Sequence, residues 1–265
     1  MKNTFLSVAL ASCALLFFNA CKKEVNETIK EESISQEVIS KVKALGFSTS
    51  DLQKTEGGYL VEGDIILSAE QLNDLPASPN LRIAEVEQYR TFNLVKRLPR
   101  VISVSVSGTV STAFSNAVDA ALARYNALKL SLTFKRVSSG GNIIIQLVNT
   151  GQYIASAGFP TSSGDPYNQI KYSKRYTSYS SGFMTTVVAH EFGHCVGFRH
   201  TDYMNRAFSC GSGSNEGQVT TGVGAVHIPG TPTGPDKASW MLACLSSSTD
   251  RPFNANDKTA LNYLY

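Results

Sequence analysis

His190-Glu191-Phe192-Gly193-His194 sets two imidazoles four residues apart with a carboxylate beside the first. On a helix, residues four apart stand one turn above the other on a single face, so both rings can reach one metal ion. Glu191 lies about 100° round that helix from His190, where it can act on a water as a base without being a ligand itself. Gly197 follows at the point where the helix must stop and the chain must reverse, a task for a residue that tolerates positive φ. The reversal brings back His200. Three neutral imidazoles with one position left for water make the tetrahedral arrangement of a catalytic zinc, as distinct from the closed four-ligand shell of a structural one. The chemistry on offer is hydrolysis by a zinc-activated water, with Glu191 as catalytic base.

The full run His190 to His200 resembles the elongated metzincin signature at every fixed position. With Thr201-Asp202 after it, the run is most similar to that of the M57-type (HEIGH-motif) lipoprotein peptidases of bacteria. The resemblance implies an α+β fold: a mixed twisted sheet, an active-site helix, and a loop-rich lower part with a methionine turn and a C-terminal helix. Met241 in Ser239-Trp240-Met241 fits the methionine turn, and residues 253–265 fit the closing helix. Ala243 stands two residues after Met241, where some metzincins carry a tyrosine ligand, so none is expected; Tyr203 is only a neighbour candidate. The family further implies cleavage of internal peptide bonds in a protein or peptide lying along an edge strand. The stretch Tyr153 to Gly158 corresponds best to that strand, with small Ala155, Ala157 and Gly158 allowing close backbone approach. Val61-Glu62-Gly63-Asp64 is similar to the F-x-G-D segment by which astacin-like proforms place an aspartate on zinc. On that likeness Asp64 blocks the metal until cleavage near Arg97 or Arg100. No cysteine lies between Cys21 and Cys195, which excludes a thiol-based switch there.

Elements must deliver these groups. Apolar residues at Ile29, Ile34, Val38, Val42 and Leu45 suit one or two helices ending at Gly46, and residues 59–67 read as a short strand or pair of strands before a capped helical turn at 68–75. Val101 to Val106 alternates as a half-buried strand, residues 112–128 carry helical spacing, and 130–137 alternates again. Residues 142–148 are the most apolar run and suit a central strand buried on both faces. Two further strands at 153–159 and 169–173 lead to a helix over 182–196. The expected organisation is a leader at 1–20, a tether and propeptide-like region at 21–100, and a catalytic domain at 101–265.

Lys2 and the apolar run Phe5 to Phe18 read as an export signal, too short and wrongly flanked for a membrane span. Phe18-Asn19-Ala20-Cys21 resembles a lipoprotein processing site, which would lipidate Cys21 and anchor the exported protein in the bacterial cell envelope, with release possible after cleavage. Of the remaining cysteines, Cys195, Cys210 and Cys244, spacing alone does not choose a pair; Cys210 with Cys244 is favoured because both lie in the loop-rich region, where a staple helps most. A net charge of +3 over 265 residues calls for no polyanionic partner, so nucleic acid is not expected, and the enzyme is expected to act as a monomer. His227, the fourth histidine, reads as a loop residue. Two other readings compete: a non-enzymatic zinc-stabilised adhesin or binding lipoprotein, for which a carboxylate at Glu191 would have no use, and a hydrolase of non-peptide bonds, against which Met241 and the terminal helix argue.

Overall fold

Ser35 starts the first helix by accepting a hydrogen bond from the Val38 amide (3.3 Å), and α1 (Gln36–Ala44) ends just before Gly46. Three short antiparallel strands follow, β1 (Gln53–Thr55), β2 (Gly58–Val61) and β3 (Ile65–Leu67), in that spatial order. Ser68 then opens α2 (Ala69–Asn73) with a reciprocal cap, accepting from the Gln71 amide (3.2 Å) and donating its own amide to the Gln71 side chain (3.0 Å). The computed structural model describes residues 33–73, 88–212, 223–232 and 234–265; the leader and Cys21 lie outside that set.

Beyond β4 (Tyr89–Arg90), the regular part begins with β5 (Arg100–Ser107), α3 (Thr112–Asn126), β6 (Leu132–Arg136) and β7 (Ile143–Val148). Then come β8 (Ala155–Ser156), β9 (Gln169–Ser173), α4 (Ser181–Cys195), α5 (Ala207–Cys210), β10 (Val226–His227) and α6 (Ala255–Leu264). The principal sheet runs β6-β5-β7-β9-β8, parallel except for the antiparallel edge pair β8/β9, so the fold is α+β with a mixed sheet. The most apolar run does sit at the centre of this sheet, but it is not buried on both faces. Ile143, Ile145 and Leu147 point into the core while Ile144, Gln146 and Val148 are half-buried, the alternation of a sheet with one well-covered face.

One core unites β5, β7 and β9 with α3, α4 and α6; a second joins Val42, Leu45, Phe47, Val61, Ile65, Leu67 and Leu72 of the N-terminal segment to Phe159 and Val223. The segment is therefore built into the same compact unit, Ile34–Tyr265. The expected boundary at Arg100 is accordingly not a break in the fold. Arg199 donates its amide to the Tyr89 carbonyl (2.9 Å), Thr91 donates to Gly197 (2.7 Å), and Gln88 Nε2 donates to Asp257 (2.8 Å). Arg97 and Arg100, the expected cleavage points, are both paired with Asp165. These bonds place residues 88–100 in the frame of the histidine turn.

The strand expected over 153–159 is shorter, because β8 pairs with β9 only at Ala155 and Ser156. Ala157 turns its backbone to the N-terminal segment instead, donating to Asp64 O (2.9 Å) and accepting from the Ile66 amide (2.7 Å).

Candidate metal centre

Helix α4 starts at Ser180, whose hydroxyl accepts from the Phe183 amide (3.3 Å), and is buried at every position from Phe183 to Cys195. Such all-round burial fixes the helix rigidly, and it carries His190, Glu191 and His194 together. Gly193 faces Met241 so closely that a Cβ there would come within 2.4 Å of the Met241 sulfur. Met241 is fully buried beneath the helix turn that bears both histidines. At Gly197, φ is 109° and a Cβ would meet Asn93 O at 2.9 Å, so only glycine fits the reversal. Thr201 then donates its amide to Met241 O (2.9 Å), tying the returning chain, and with it His200, to the same turn.

Nε2 of His194 lies 3.0 Å from Nε2 of His190 and 3.2 Å from Nε2 of His200. One carboxylate oxygen of Asp64 completes the cluster, 3.1 Å from Nε2 of His200 and 3.4 Å from Nε2 of His190. Each imidazole has its other nitrogen engaged. Nδ1 of His190 donates to Trp240 O (2.8 Å), Nδ1 of His194 to Phe198 O (2.8 Å), and Nδ1 of His200 to Glu62 (3.1 Å). Carbonyls and carboxylates only accept, so in the neutral rings the proton sits on Nδ1 and the Nε2 lone pairs face one another.

Three converging lone pairs and a carboxylate repel unless a cation lies between them. Their spacing suits zinc, since Zn–N bonds of 2.0–2.1 Å in a tetrahedron set ligand atoms about 3.3 Å apart. His190, His194, His200 and Asp64 are thus the residues that would hold the ion. The protonation balance reflects the same crowding. Burial, then the charges of His190 and His200, hold His194 well below the usual histidine range. Burial lowers His200 too, but Asp64 and Glu62 outweigh it and lift the ring to about 9. Burial would raise Asp64, yet the surrounding imidazoles hold it well below the usual carboxylate range.

Glu191 is buried, and its Oε2 meets no hydrogen-bond donor among the described residues. Burial, with the Asp64 charge adding to it, pushes its carboxyl well above the usual range. It opens with His190 onto a cavity of about 230 Å³ whose other walls include Tyr153, Leu242 and Leu245. A carboxyl with raised proton affinity beside a metal position is placed to accept and return a proton.

The remaining expected site residues are distributed around this centre. Ala157 and Gly158 lie on the edge that the N-terminal segment covers, a Cβ on Gly158 coming within 2.8 Å of Ile66 O, while Ala155 pairs with Tyr172 of β9 and lines the cavity. Cys210 and Cys244 form a disulfide, while Cys195 is buried and free. Asp202 accepts from the Ser209 hydroxyl (2.6 Å) and the Ala243 amide (3.0 Å), which joins the disulfide region to the cavity wall. Tyr203 packs on Arg199 and Tyr89 rather than on the cluster, and His227 belongs to the two-residue pair β4/β10. Glu62 and Arg199 escaped the sequence reading. The signal was present, since each charge follows apolar neighbours, Glu62 after Leu60-Val61 and Arg199 after Val196-Gly197-Phe198.

A family profile described as a dual-action HEIGH metallo-peptidase matches residues 59–265. No curated protein matches the chain. Among solved structures, myroilysin is 16% identical over 65% of this chain and 96% of that one, with a TM-score of 0.46. High choriolytic enzyme 1, a hatching enzyme zinc-protease from Oryzias latipes (Medaka fish), is 17% identical over 62% of this chain and 88% of that one, with a TM-score of 0.39.

Proposed function

This chain belongs to the HEIGH metallo-peptidase family and is a metallopeptidase; on that premise we propose that it is an exported zinc endopeptidase, lipid-anchored through Cys21 and held latent by Asp64. The observation that carries the reading is the convergence of three Nε2 atoms and one Asp64 oxygen, beside a buried carboxyl at Glu191. His190, His194 and His200 would hold zinc here, and the ion would supply the Lewis acidity that makes water a nucleophile at neutral pH and polarises a peptide carbonyl.

The chain's own residues do the rest. Trp240 O, Phe198 O and Glu62 hold the three rings in the tautomer that leaves Nε2 free. Glu191 takes the proton of the attacking water and passes it to the departing amine, a task matched to a carboxyl whose proton affinity burial has raised. Ala155 to Gly158 offers a backbone edge once the stretch from Gly63 to Ile66 gives way, and an extended substrate pairing there reaches past the centre on both sides, as cleavage within a chain requires. In the described state that edge is covered and Asp64 stands where the water would act, which supports latency.

The test is made in the Asp64→Ala background of the full-length protein. Adding Glu191→Ala should keep zinc and lower cleavage of a short quenched-fluorescent peptide roughly 10²- to 10⁴-fold; zinc retained with undiminished cleavage would remove Glu191 from the reaction. The anchor is tested separately by labelling with a clickable fatty acid, which Cys21→Ser should abolish.

A further inference from the structure

Glu62 lies two residues before Asp64 in one tight turn, yet the two carboxylates straddle the ring of His200. Asp64 faces its Nε2 and Glu62 its Nδ1, each at 3.1 Å. The Glu62 backbone is left-handed, with φ of 57°, an uncommon conformation for a residue with a side chain. Its second oxygen accepts from Arg199 Nη2 at 3.1 Å, and neither side chain is exposed to solvent. Arg199 is itself fixed: Nη1 donates to Val223 O (2.9 Å) and the guanidinium lies 4.2 Å over the ring centre of Phe47.

The three ligands differ in what holds them. His190 and His194 ride on α4 and lean on neutral carbonyls. His200 comes after the Gly197 reversal, outside the helix, and a charged group takes its Nδ1 proton bond. A carboxylate in that position sets the ring plane and raises the electron density offered at Nε2. A buried carboxylate needs a fixed counter-charge to be held there, and Arg199 supplies it.

We propose that Glu62 is a positioning residue of the metal centre, bracing His200 while Arg199 braces Glu62. One turn then carries two carboxylates with opposed effects: Asp64 shuts the centre and Glu62 strengthens its grip on the metal. The proposal rests on the metallopeptidase reading.

Full-length protein carrying Asp64→Ala, which lacks the blocking group, is compared with the same protein carrying a second change at Glu62. Zinc affinity is read by competition with a chromogenic chelator, and ligand geometry by the visible spectrum of the cobalt form. Glu62→Ala should weaken the zinc Kd roughly 10- to 100-fold and shift the cobalt bands. Glu62→Gln, which keeps an oxygen for Nδ1, should fall between the two. A zinc Kd within threefold of the Asp64→Ala parent, with an unchanged cobalt spectrum, would reduce Glu62 to a packing residue and overturn the proposal. If Glu62→Ala does not fold, Glu62→Gln decides by the same threshold. Failure of every form, the parent included, to bind zinc would instead bring down the metallopeptidase reading, and this proposal with it.

Discussion

Replacing Asp64 by alanine removes the carboxylate that sits 3.1 Å from Nε2 of His200 and 3.4 Å from Nε2 of His190. With a cation among these atoms Asp64 would be one partner of a buried charged pair, and breaking such a pair costs about 3–5 kcal/mol. That is a factor of roughly 10² to 10⁴ in the fraction of molecules whose centre is open. The rest of the segment stays docked, because Leu60, Val61, Ile65 and Leu67 are fully buried and the Ile66 amide still donates to Ala157 O at 2.7 Å. Each such aliphatic side chain holds the segment by about 1.5–3 kcal/mol. The variant should therefore have an open centre beside an obstructed strand edge. Uncut full-length Asp64→Ala, its mass verified, should cleave a short quenched-fluorescent peptide 10² to 10⁴ times faster than uncut wild type by the estimate above. Casein, which needs the whole edge, should gain far less. Zinc-loaded Asp64→Ala as inactive on the short peptide as wild type would refute the reasoning, because the docked backbone and not the carboxylate would then close the centre.

The disulfide joins Cys210 to Cys244 across a separation of 34 residues, which on chain entropy stabilises the fold by about 3–4 kcal/mol. Calorimetry with and without reductant should show a Tm lower by roughly 10 °C after reduction, and an unchanged Tm would remove the staple from the stability account. Asp257 is buried and its pKa is raised, chiefly by that burial, from 3.8 to about 6. The native state thus holds a proton that the unfolded chain has lost between those values, so this contribution is full below 3.8 and is lost as pH rises through 6. A shift of that size is worth about 3 kcal/mol. Asp257→Asn should consequently gain on wild type by that order between pH 4 and pH 6 in denaturant unfolding, and parallel stability curves would contradict the assignment.

What the sequence disclosed followed the reach of local geometry. His190, Glu191, His194 and His200 lie within eleven residues, so the helical repeat and one glycine reversal were enough to bring them together on paper. Strand β5 and helix α3 were legible for the same reason, their burial repeating within a few residues. Glu62 was not, since its contact with His200 spans 138 positions and is made by folding the N-terminal segment back over the cleft. The fold runs without a break through the boundary expected at Arg100, for a related reason. Lys96 to Arg100 is basic and contains proline, the look of a linker, but Asp165 pairs both arginines and the Val95 amide donates to the Tyr265 hydroxyl (3.2 Å). Central placement of β7 was readable from its apolar run, whereas its alternating burial depends on which face the helices cover, a tertiary fact.

The N-terminal segment is held by two kinds of contact, and they respond differently to proteolysis. A cut before Gln88 would sever the chain from any anchor at Cys21, yet it would leave intact the apolar cluster of Val42, Leu45, Phe47, Val61, Ile65 and Leu67 against Phe159 and Val223. Departure of the whole segment would also strip Arg199 of both Glu62 and the Phe47 ring. Leaving a buried charge without its partner costs about 3–5 kcal/mol. Displacing only the stretch from Gly63 to Ile66 avoids that cost and keeps His200 braced. Cutting and opening would therefore be separate events: the first would release the protein from an anchor at Cys21, and the second would turn on whether Asp64 or a substrate occupies the space beside Glu191.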